Sequence, residues 1–407
     1  MPSEAVRGAL DLCLACKGCK GDCPVNVDMA TYKAEFLSHY YQGRRRPITA
    51  YTMGLIYWWA RLAAHAPGLV NFFTQTPPFS ALVKAAGGIA PQRRIPAFAP
   101  ETFTAWFRRR KPTNADKPRV LLWPDTFNNH FHPDTAKAAV EVLEAAGYRV
   151  EIPATPLCCG RPLYDWGMLD LAGHLLRQIL ATLRPLIAEG VPIVGLEPSC
   201  VAVFRDELLG LFPHDEDAKR LSRQTFLLSE FLEQQAGDYH PPQLRRRALV
   251  HGHCHHKALM KLDAEEATLS KLGLDYTVLD SGCCGMAGAF GFERGDHYDV
   301  SRKAGERVLL PAVREADPDT LIIANGFSCR EQIAQGTERR ALHLAQVLQL
   351  ALREDHDGTA MGERAGQGID GRGRAGRALA FVGTGVVLAA GAALAGWRRK
   401  RPPLAGQ

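Results

Sequence analysis

Short apolar runs alternate with amphipathic stretches through residues 118–350. The first run, Arg119-Val-Leu-Leu-Trp123, is followed by helical spacing of apolar residues in TAKAAVEVLEAAG, and then by the runs YRVEIPA and PIVGLEP. The same order recurs in RRALV, YTVLD and TLIIANG. Short apolar strands that alternate with amphipathic helices predict an α/β layer structure with mostly parallel strands.

This α/β body also repeats internally. A Cys-Cys-Gly sequence closes the second strand of each half, at residues 158–160 and again at 283–285. Further positions match at nearly the same offset: Cys158 with Cys283 at 125, Thr126 with Cys254 at 128, and Cys200 with Cys329 at 129. We therefore interpret residues 118–240 and 241–355 as two copies of one Cys-Cys-Gly α/β domain.

The stretch between residues 41 and 117 is predicted to be a helical connector. Its aromatic-rich segment, ITAYTMGLIYWWARLAAHAPGLVNFF, is broken by Pro67 and ends in basic, proline-punctuated sequence. Arg61 and His65 interrupt the apolar face, so a membrane span is disfavoured. A packed helix pair is the preferred interpretation, and contact with a membrane surface or a partner is the alternative.

The C-terminal residues have a different composition. Residues 356–377 are rich in Gly, Arg and Ala and are expected to form a disordered linker. Residues 378–397 carry no charge and are long enough for one transmembrane helix, although a low-complexity tail is the alternative. The basic residues on the two sides of this segment are nearly balanced, so charge does not set its orientation. The cysteines favour a reducing compartment, so the body is expected to lie in the cytoplasm, anchored to or associated with the cell membrane.

Four closely spaced cysteines near the start form the strongest chemical motif. Cys13-x2-Cys16-x2-Cys19-x3-Cys23-Pro24 is the run that holds a [4Fe–4S] cluster in bacterial ferredoxins, so residues 1–40 are predicted to be a small α-helical ferredoxin-like module. A zinc site is the alternative, but such sites usually pair two C-x2-C units. In two-cluster ferredoxins the fourth cysteine serves the other cluster. Cys23 therefore either closes its own cluster, or a missing upstream motif or another chain supplies the fourth ligand.

Composition narrows the class of protein. The chain has 407 residues, 46% of them hydrophobic, and its net charge of +6 is spread along the sequence, which gives no support for nucleic-acid binding. All eleven cysteines fall within motifs. That usage is expected of metal chemistry in a reducing compartment, and not of a disulfide framework.

The repeated domains carry a second candidate set of metal ligands. Strand ends in a parallel sheet are where ligands collect, so the thiols there are expected to hold an iron–sulfur cluster or zinc. The second copy offers Cys254, Cys283, Cys284 and Cys329, and the first offers Cys158, Cys159 and Cys200.

Each copy leaves one question open. Thr126 stands where the second copy has Cys254, so the first site needs an outside ligand, an open position, or a purely structural role. The outside candidates are His130, His132, Asp125 and Glu197. In the second copy, one of His251, His253, His255 and His256 is expected to bind the metal or to donate a hydrogen bond to a ligand. The alternative is that these histidines lie together at the start of a helix and have no role in binding.

Together these motifs resemble the iron–sulfur half of FAD-linked D-2-hydroxyacid dehydrogenases, a group that includes D-lactate dehydrogenases and the glycolate oxidase iron–sulfur subunit. The duplicated domain is similar to the Cys-Cys-Gly subunit of heterodisulfide reductase and to the iron–sulfur subunit of anaerobic glycerol-3-phosphate dehydrogenase. The resemblance implies electron transfer from a reduced flavin, through clusters, to a quinone or another membrane acceptor.

The family's FAD-binding and substrate domains are missing from this sequence, so FAD is expected only on a partner dehydrogenase subunit. No residue is assigned a catalytic role. Two other hypotheses remain: a thiol–disulfide reductase that splits a disulfide at the second copy's cysteines, and a truncated, non-catalytic remnant.

Overall fold

The computed structural model describes residues 3–357, which combine many short helices with two small sheets. The helices are α1 (Glu4–Asp11), α2 (Gly18–Asp22), α3 (Met29–Tyr40), α4 (Ile48–Thr52), α5 (Ile56–Ala63), α6 (Pro67–Gln75), α7 (Phe79–Gly87), α8 (Phe103–Arg109), α9 (Thr126–His130), α10 (Pro133–Ala145), α11 (Arg161–Tyr164), α12 (Leu169–Glu189), α13 (Pro198–Ala202), α14 (Leu208–Leu211), α15 (Glu216–Gln224), α16 (Leu228–Gln234), α17 (Asp263–Lys271), α18 (Asp296–Glu306), α19 (Leu309–Glu315), α20 (Phe327–Gly336) and α21 (Leu344–Asp357). The strands are β1 (Arg119–Trp123), β2 (Arg149–Glu151), β3 (Ile193–Gly195), β4 (Thr225–Leu227), β5 (Arg247–Val250), β6 (Asp275–Val278) and β7 (Leu321–Ile323). π-helical turns occur at Val203–Glu207 and His256–Met260, and a 3-10 turn at Phe290–Phe292.

The first repeat contains a four-stranded parallel sheet in the order β2-β1-β3-β4. Its first three strands lie within the apolar runs that predicted them, and β1 has the predicted bounds. Strand β4 was not predicted, because its three residues lie between two amphipathic helices and show no pattern of their own.

The second repeat reproduces this arrangement in the order β6-β5-β7, again with all strands parallel. A single parallel bridge joins Ile323 to Leu342, at the sheet position that β4 occupies in the first repeat. The predicted α/β class with parallel strands is therefore confirmed, and the duplication predicted from the cysteine offsets is visible in the topology.

One hydrophobic core is shared by the two repeats. Leu122 of β1 and Val250 of β5 belong to the same buried cluster, together with residues of α10 and α21. The opposite face of the first sheet packs against α12, where Leu121 and Ile193 are fully buried. Strands that are buried on both faces read as continuous apolar runs, which is why the sequence pattern identified them.

The connector consists of several short helices instead of one helix pair. The predicted break is confirmed, since α5 ends at Ala63 and Pro67 is the first residue of α6. Proline suits this position because the first helical N–H has no partner within the helix. The predicted domain boundaries at residues 40, 117 and 240 stay predictions.

The predicted transmembrane helix at 378–397, and the predicted linker from residue 358 onward, lie outside the described residues. Among residues 3–357, no helix is both long enough and apolar enough to cross a membrane.

Candidate metal centres

The N-terminal cysteines lie on a tightly curled loop between α1 and α3. Ala15 and Lys17 have φ angles of 49° and 59°, in the left-handed region, so the chain reverses between successive cysteines. Cys16 then lies close enough to Cys13 and Cys19 for their charges to interact. Burial raises the pKa of the Cys16 thiol, and the neighbouring sulfurs raise it further. The structure thus brings the first three cysteines of the run together.

Cys23 occupies a different environment at the end of α2. Its sulfur is partly exposed and accepts hydrogen bonds from the backbone N–H groups of Val27, Val25 and Asn26, which lower the pKa of the thiol. The thiolate is the form of cysteine that binds metals. Backbone hydrogen bonds therefore favour the metal-binding thiolate of Cys23, whichever cluster this residue binds.

A buried lysine fastens this loop to the first repeat. The Lys17 ammonium lies 2.8 Å from Asp28, 2.6 Å from Asp206 and 3.2 Å from Glu207, and its side chain is only 1% exposed. On the other side, His255 Nε2 lies 2.9 Å from the carbonyl oxygen of Ala15. The cysteine loop is thus held between the first and second repeats.

In the second repeat the four predicted cysteines meet. Their thiols interact in series, each with the next: Cys254, Cys283, Cys284 and Cys329. The contact with Cys283, followed by burial, raises the pKa of Cys254 well above its ordinary value. The backbone N–H of Gly285 donates to the Cys283 sulfur at 3.4 Å. Four converging thiols are a donor set suited to a soft metal ion, which binds them as thiolates.

The two thiol sets are neighbours. Cys254 is among the groups whose charge acts on Cys16, so the N-terminal loop approaches the second repeat at its first cysteine. This proximity has no local signal in the sequence, because 238 positions separate the two residues.

The first repeat holds an analogous series of cysteines, which lies within the apolar core. Thr126 Oγ1 donates to Cys158 Sγ at 3.6 Å, and the sulfurs of Cys159 and Cys200 lie 2.8 Å apart. Gly160 N donates to Cys158 Sγ at 3.4 Å, as Gly285 does in the second repeat. All three cysteines belong to an apolar core cluster. Contact with Cys159, and then burial, raises the pKa of Cys158, so these thiols stay protonated without a metal.

The outside ligands suggested for this first set have other partners. Asp125 Oδ1 accepts the N–H groups of Phe127 and Asn128 and caps α9. His132 lies 3.3 Å from Glu331, and His130 lies 3.1 Å from the Asn129 amide. Glu197 accepts the N–H of Phe327 at 2.8 Å, across the boundary between the repeats.

The histidines around Cys254 divide by their contacts. His253 Nδ1 accepts the N–H of His255 at 3.2 Å, which is a helix-capping contact, while its Nε2 lies 4.0 Å from Glu197. His256 pairs with Glu265 at 3.2 Å. His251 alone joins two cysteines, Cys284 and Cys329, in a compact group.

Two buried arginines were missed by the sequence reasoning. Arg161 directly follows the first Cys-Cys-Gly and pairs with Glu207 and Asp165. Arg330 directly follows Cys329 and donates to Asn128 Oδ1 at 3.0 Å, which joins the repeats. A basic residue immediately after a cysteine motif was the available signal.

A mostly apolar cavity of about 150 Å³ lies where the loop, the connector and both repeats meet. Phe127, Phe327 and Ile89 supply apolar walls, and Cys16 and Cys254 both reach the lining. Glu197 also lines the cavity; burial, followed by the nearby Asp125, raises the pKa of this carboxyl to about 7. A cavity of this size is large enough for a single six-membered aromatic ring.

Comparison with known proteins agrees with this site. A family profile described as a cysteine-rich domain, CCG, matches residues 125–205. The chain is 30% identical over 366 residues to D-2-hydroxyglutarate dehydrogenase of Pseudomonas putida, a match that covers 86% of this chain and 35% of that protein. It is 29% identical to a subunit of the anaerobic glycerol-3-phosphate dehydrogenase of Escherichia coli, over 70% of this chain and 72% of the relative.

A further similarity is to lactate utilization protein A of Bacillus velezensis, at 28% identity over 56% of this chain and 98% of the relative. The chain spans about a third of the length of the D-2-hydroxyglutarate dehydrogenase that it matches. These findings confirm the resemblance predicted from the cysteine motifs, and the match to the cysteine-rich CCG domain lies within the first predicted repeat.

Proposed function

We propose that this chain is an iron–sulfur electron-transfer component that works with a flavin-linked dehydrogenase. The observation that carries the proposal is the juxtaposition of two thiol sets, with Cys16 of the N-terminal run beside Cys254 of the second repeat. Two metal centres in such proximity form a relay, which a purely structural metal site does not need.

Cys13, Cys16, Cys19 and Cys23 are the proposed ligands of a [4Fe–4S] cluster. The donor set fits, because three thiols meet on the loop and the fourth is favoured as a thiolate by three backbone N–H groups. A cluster bound there would supply one-electron transfer at a potential set by burial and by hydrogen bonds to the sulfurs. Lys17 holds the loop in place through its contacts with Asp28 and Asp206.

The proposed partner is a dehydrogenase subunit that carries FAD. Relatives are named as dehydrogenases, as a dehydrogenase subunit and as a lactate utilization protein, which favours a D-2-hydroxyacid of the lactate or glycolate type as the oxidised substrate. Oxidation of that substrate on the partner yields two electrons and two protons. This chain would receive the electrons one at a time, while the protons leave to solvent from the flavin.

The cavity is the proposed place where electrons leave. It contacts both thiol sets through Cys16 and Cys254, has aromatic walls, and presents the Glu197 carboxyl. A quinone ring would fit such a lining, and Glu197 is placed to hand it a proton. Membrane attachment remains a separate proposal for residues 378–397.

The test is anaerobic reduction and reoxidation of the purified chain. Dithionite is expected to produce a cubane-type EPR signal that a water-soluble quinone removes rapidly and a small-molecule disulfide removes slowly. Cys16→Ser should abolish the signal, whereas Cys159→Ser in the buried first set should leave it. Loss of the signal only with the disulfide would favour the reductase hypothesis, and absence of reducible iron would overturn the proposal.

A further inference from the structure

Two cavities in this molecule share a wall. Beside the mostly apolar cavity lies a second pocket of about 180 Å³, which is large enough for several water molecules. We call it the polar pocket, because its lining includes the side chains of Arg7, Asp11, Lys33, Glu293 and His297. The residues that line both spaces are Leu14, Ala15, Asp165, Ala287 and Ala289. Asp165 is the only one of these five with a polar side chain, so it is the one titratable group on the shared wall.

The two carboxylate oxygens of Asp165 have different surroundings. The residue directly follows α11, and its side chain is 24% exposed. Oδ1 accepts from Arg161 Nη2 at 3.4 Å, which is the one hydrogen bond of this side chain among the residues that the structure describes. Oδ2 lies at Gly288, where an added Cβ would stand 3.3 Å from it, and Gly288 lines the apolar cavity. One oxygen is thus held by an arginine, and the other is available to exchange a proton.

The segment that carries Asp165 is fixed in position. Arg46 donates to the carbonyl oxygens of Trp166 and Gly167, both at 2.8 Å. Gly167 packs so closely on α3 that an added Cβ would lie 2.3 Å from the Ser38 nitrogen. The backbone that follows Asp165 therefore keeps its carboxyl on the shared wall.

The surroundings of Asp165 favour a carboxyl that retains its proton. Burial raises its pKa; Arg161 and Lys33 act in the opposite direction, Glu293 adds to the rise, and the net shift is upward. The other acidic and basic side chains of the apolar cavity are Glu197, His253 and His255. A carboxylic acid whose pKa is raised toward the working pH is a better general acid than an ordinary aspartate.

The second repeat provides an internal comparison. At the offset of 125 that relates Cys158 to Cys283, the residue equivalent to Asp165 is Phe290, which also lines the polar pocket. The repeated fold therefore accepts an apolar side chain at this position. A carboxyl is not needed there to build the domain, so its presence in the first repeat calls for a chemical reason.

The proposed function creates a need for protons at the apolar cavity. Reduction of a quinone to a quinol takes up two electrons and two protons. The electrons would arrive through the thiol sets, but the protons of the oxidised substrate leave at the flavin of the partner. Both protons of the quinol must then come from solvent through this chain, and Glu197 accounts for one of them.

We propose that Asp165 is the second proton donor of the apolar cavity and that it regains its proton from water in the polar pocket. The inference rests on the proposed function and deepens it. In the transfer, the O–H bond of the Asp165 carboxyl breaks and an O–H bond forms on the quinone oxygen, and a water proton then restores the carboxyl. The polar pocket has titratable groups on its solvent side, since Asp11 is 47% exposed and lies 3.0 Å from His297 Nε2.

The experiment is stopped-flow reoxidation of the dithionite-reduced full chain, purified anaerobically. One oxidant is a water-soluble quinone, and the other is ferricyanide, which takes up an electron and no proton. Asp165→Asn keeps an acceptor for Arg161 but has no exchangeable acid proton, so reoxidation by quinone should slow at least about 10-fold while reoxidation by ferricyanide is unchanged. Added formate, a small proton carrier, should restore part of the quinone rate, which it could not do for a merely structural defect.

Asp217→Asn is the matched control. Asp217 is 23% exposed, lies 3.0 Å from Arg184, and belongs to the lining of neither space. Both of its reoxidation rates should equal those of the wild type. Infrared titration gives a readout without any oxidant: the wild type should show a carboxylic acid that titrates above the ordinary range of aspartate, and Asp165→Asn should lack it.

Each outcome supports or overturns the inference. Slow quinone reoxidation with a normal ferricyanide rate supports it, whereas a normal quinone rate in folded Asp165→Asn, or equal slowing with both oxidants, overturns it. If Asp165→Asn does not fold, Glu293→Gln decides. Loss of the Glu293 charge should move the alkaline decline of the quinone rate to lower pH, and an unmoved profile would overturn the inference. Failure of the proposed function differs from all of these, because the wild type itself would then not be reoxidised by quinone, and the inference would fall with it.

Discussion

Replacing Lys17 with methionine tests how the cysteine loop is held to the body. Methionine keeps most of the apolar stem and removes the ammonium, so the carboxylates of Asp28, Asp206 and Glu207 lose their shared counter-charge. Glu207 is only 7% exposed and retains a contact with Arg161, but Asp206 is left with Lys20 alone. We therefore expect the loop to become destabilised relative to the body.

The magnitude follows from the burial of the network. Removing one partner of a buried ion pair costs about 3–5 kcal/mol, because an uncompensated charge remains. Asp28 gives an independent measure: burial alone would raise its pKa, but Lys17 and the Thr31 contacts lower it from 3.8 to about 2. That difference corresponds to about 2 kcal/mol, present above pH 4 and lost as the pH falls toward 2. We expect Lys17→Met to lower the free energy of unfolding by about 3–5 kcal/mol.

The assay is anaerobic urea denaturation, followed by circular dichroism for the body and by visible absorption for loss of the iron chromophore. Lys20→Met is the matched control, since Lys20 contacts two of the same carboxylates but is 31% exposed. Its loss should cost less than about 1 kcal/mol. The double variant Lys17→Met/Asp206→Asn should recover part of the loss. Equal effects of the two single variants would refute the reasoning.

Two further predictions concern the second repeat and the pH dependence of stability. Gly285→Ala should destabilise the protein by more than about 2 kcal/mol, because φ is +87° and the new Cβ would lie 2.3 Å from the Ser301 carbonyl oxygen. Gly190→Ala, at φ +75° and ψ +23° with its nearest neighbour 3.9 Å away, should cost only about 1 kcal/mol in the same denaturation assay. Similar losses in both variants would contradict the clash. Burial lowers the pKa of His343 to about 3, so its contribution to stability falls as the pH drops from about 6.5 toward 3, where the unfolded chain binds the proton and the folded one does not. His343→Gln should therefore reduce the slope of stability against pH in that window by up to about 1.4 kcal/mol per pH unit. An unaltered slope in His343→Gln would contradict the assignment.

The cysteine spacing and the apolar runs predicted much of this architecture. Strand β1 was predicted residue for residue, because a strand that is buried on both faces has no polar position to obscure it. The offset between Cys158 and Cys283 identified the duplication, because matched loops in a repeated fold keep their spacing.

The features that the sequence did not predict depend on contacts between residues that lie far apart along the chain. Nothing local in Lys17 distinguishes a buried ion-pair centre from an exposed loop lysine, since its partners Asp206 and Glu207 lie far along the chain. The same is true of His251, which stood as one of four equivalent histidines until Ser281 and Cys284 were placed around it. Strand β4 escaped prediction because it runs directly from α15 into α16, with no turn residues to mark its ends.

The packing of α10 against α21 has a consequence for how this chain is made. Helix α10 belongs to the first repeat, yet Val347, Leu348 and Ala351 of α21 complete the core into which it packs. During synthesis the side of α10 that faces α21 therefore stays uncovered until some two hundred further residues have been translated. Such contacts, distant in sequence, slow folding and prolong exposure to aggregation. Truncation before α21 should therefore leave both repeats without a finished core.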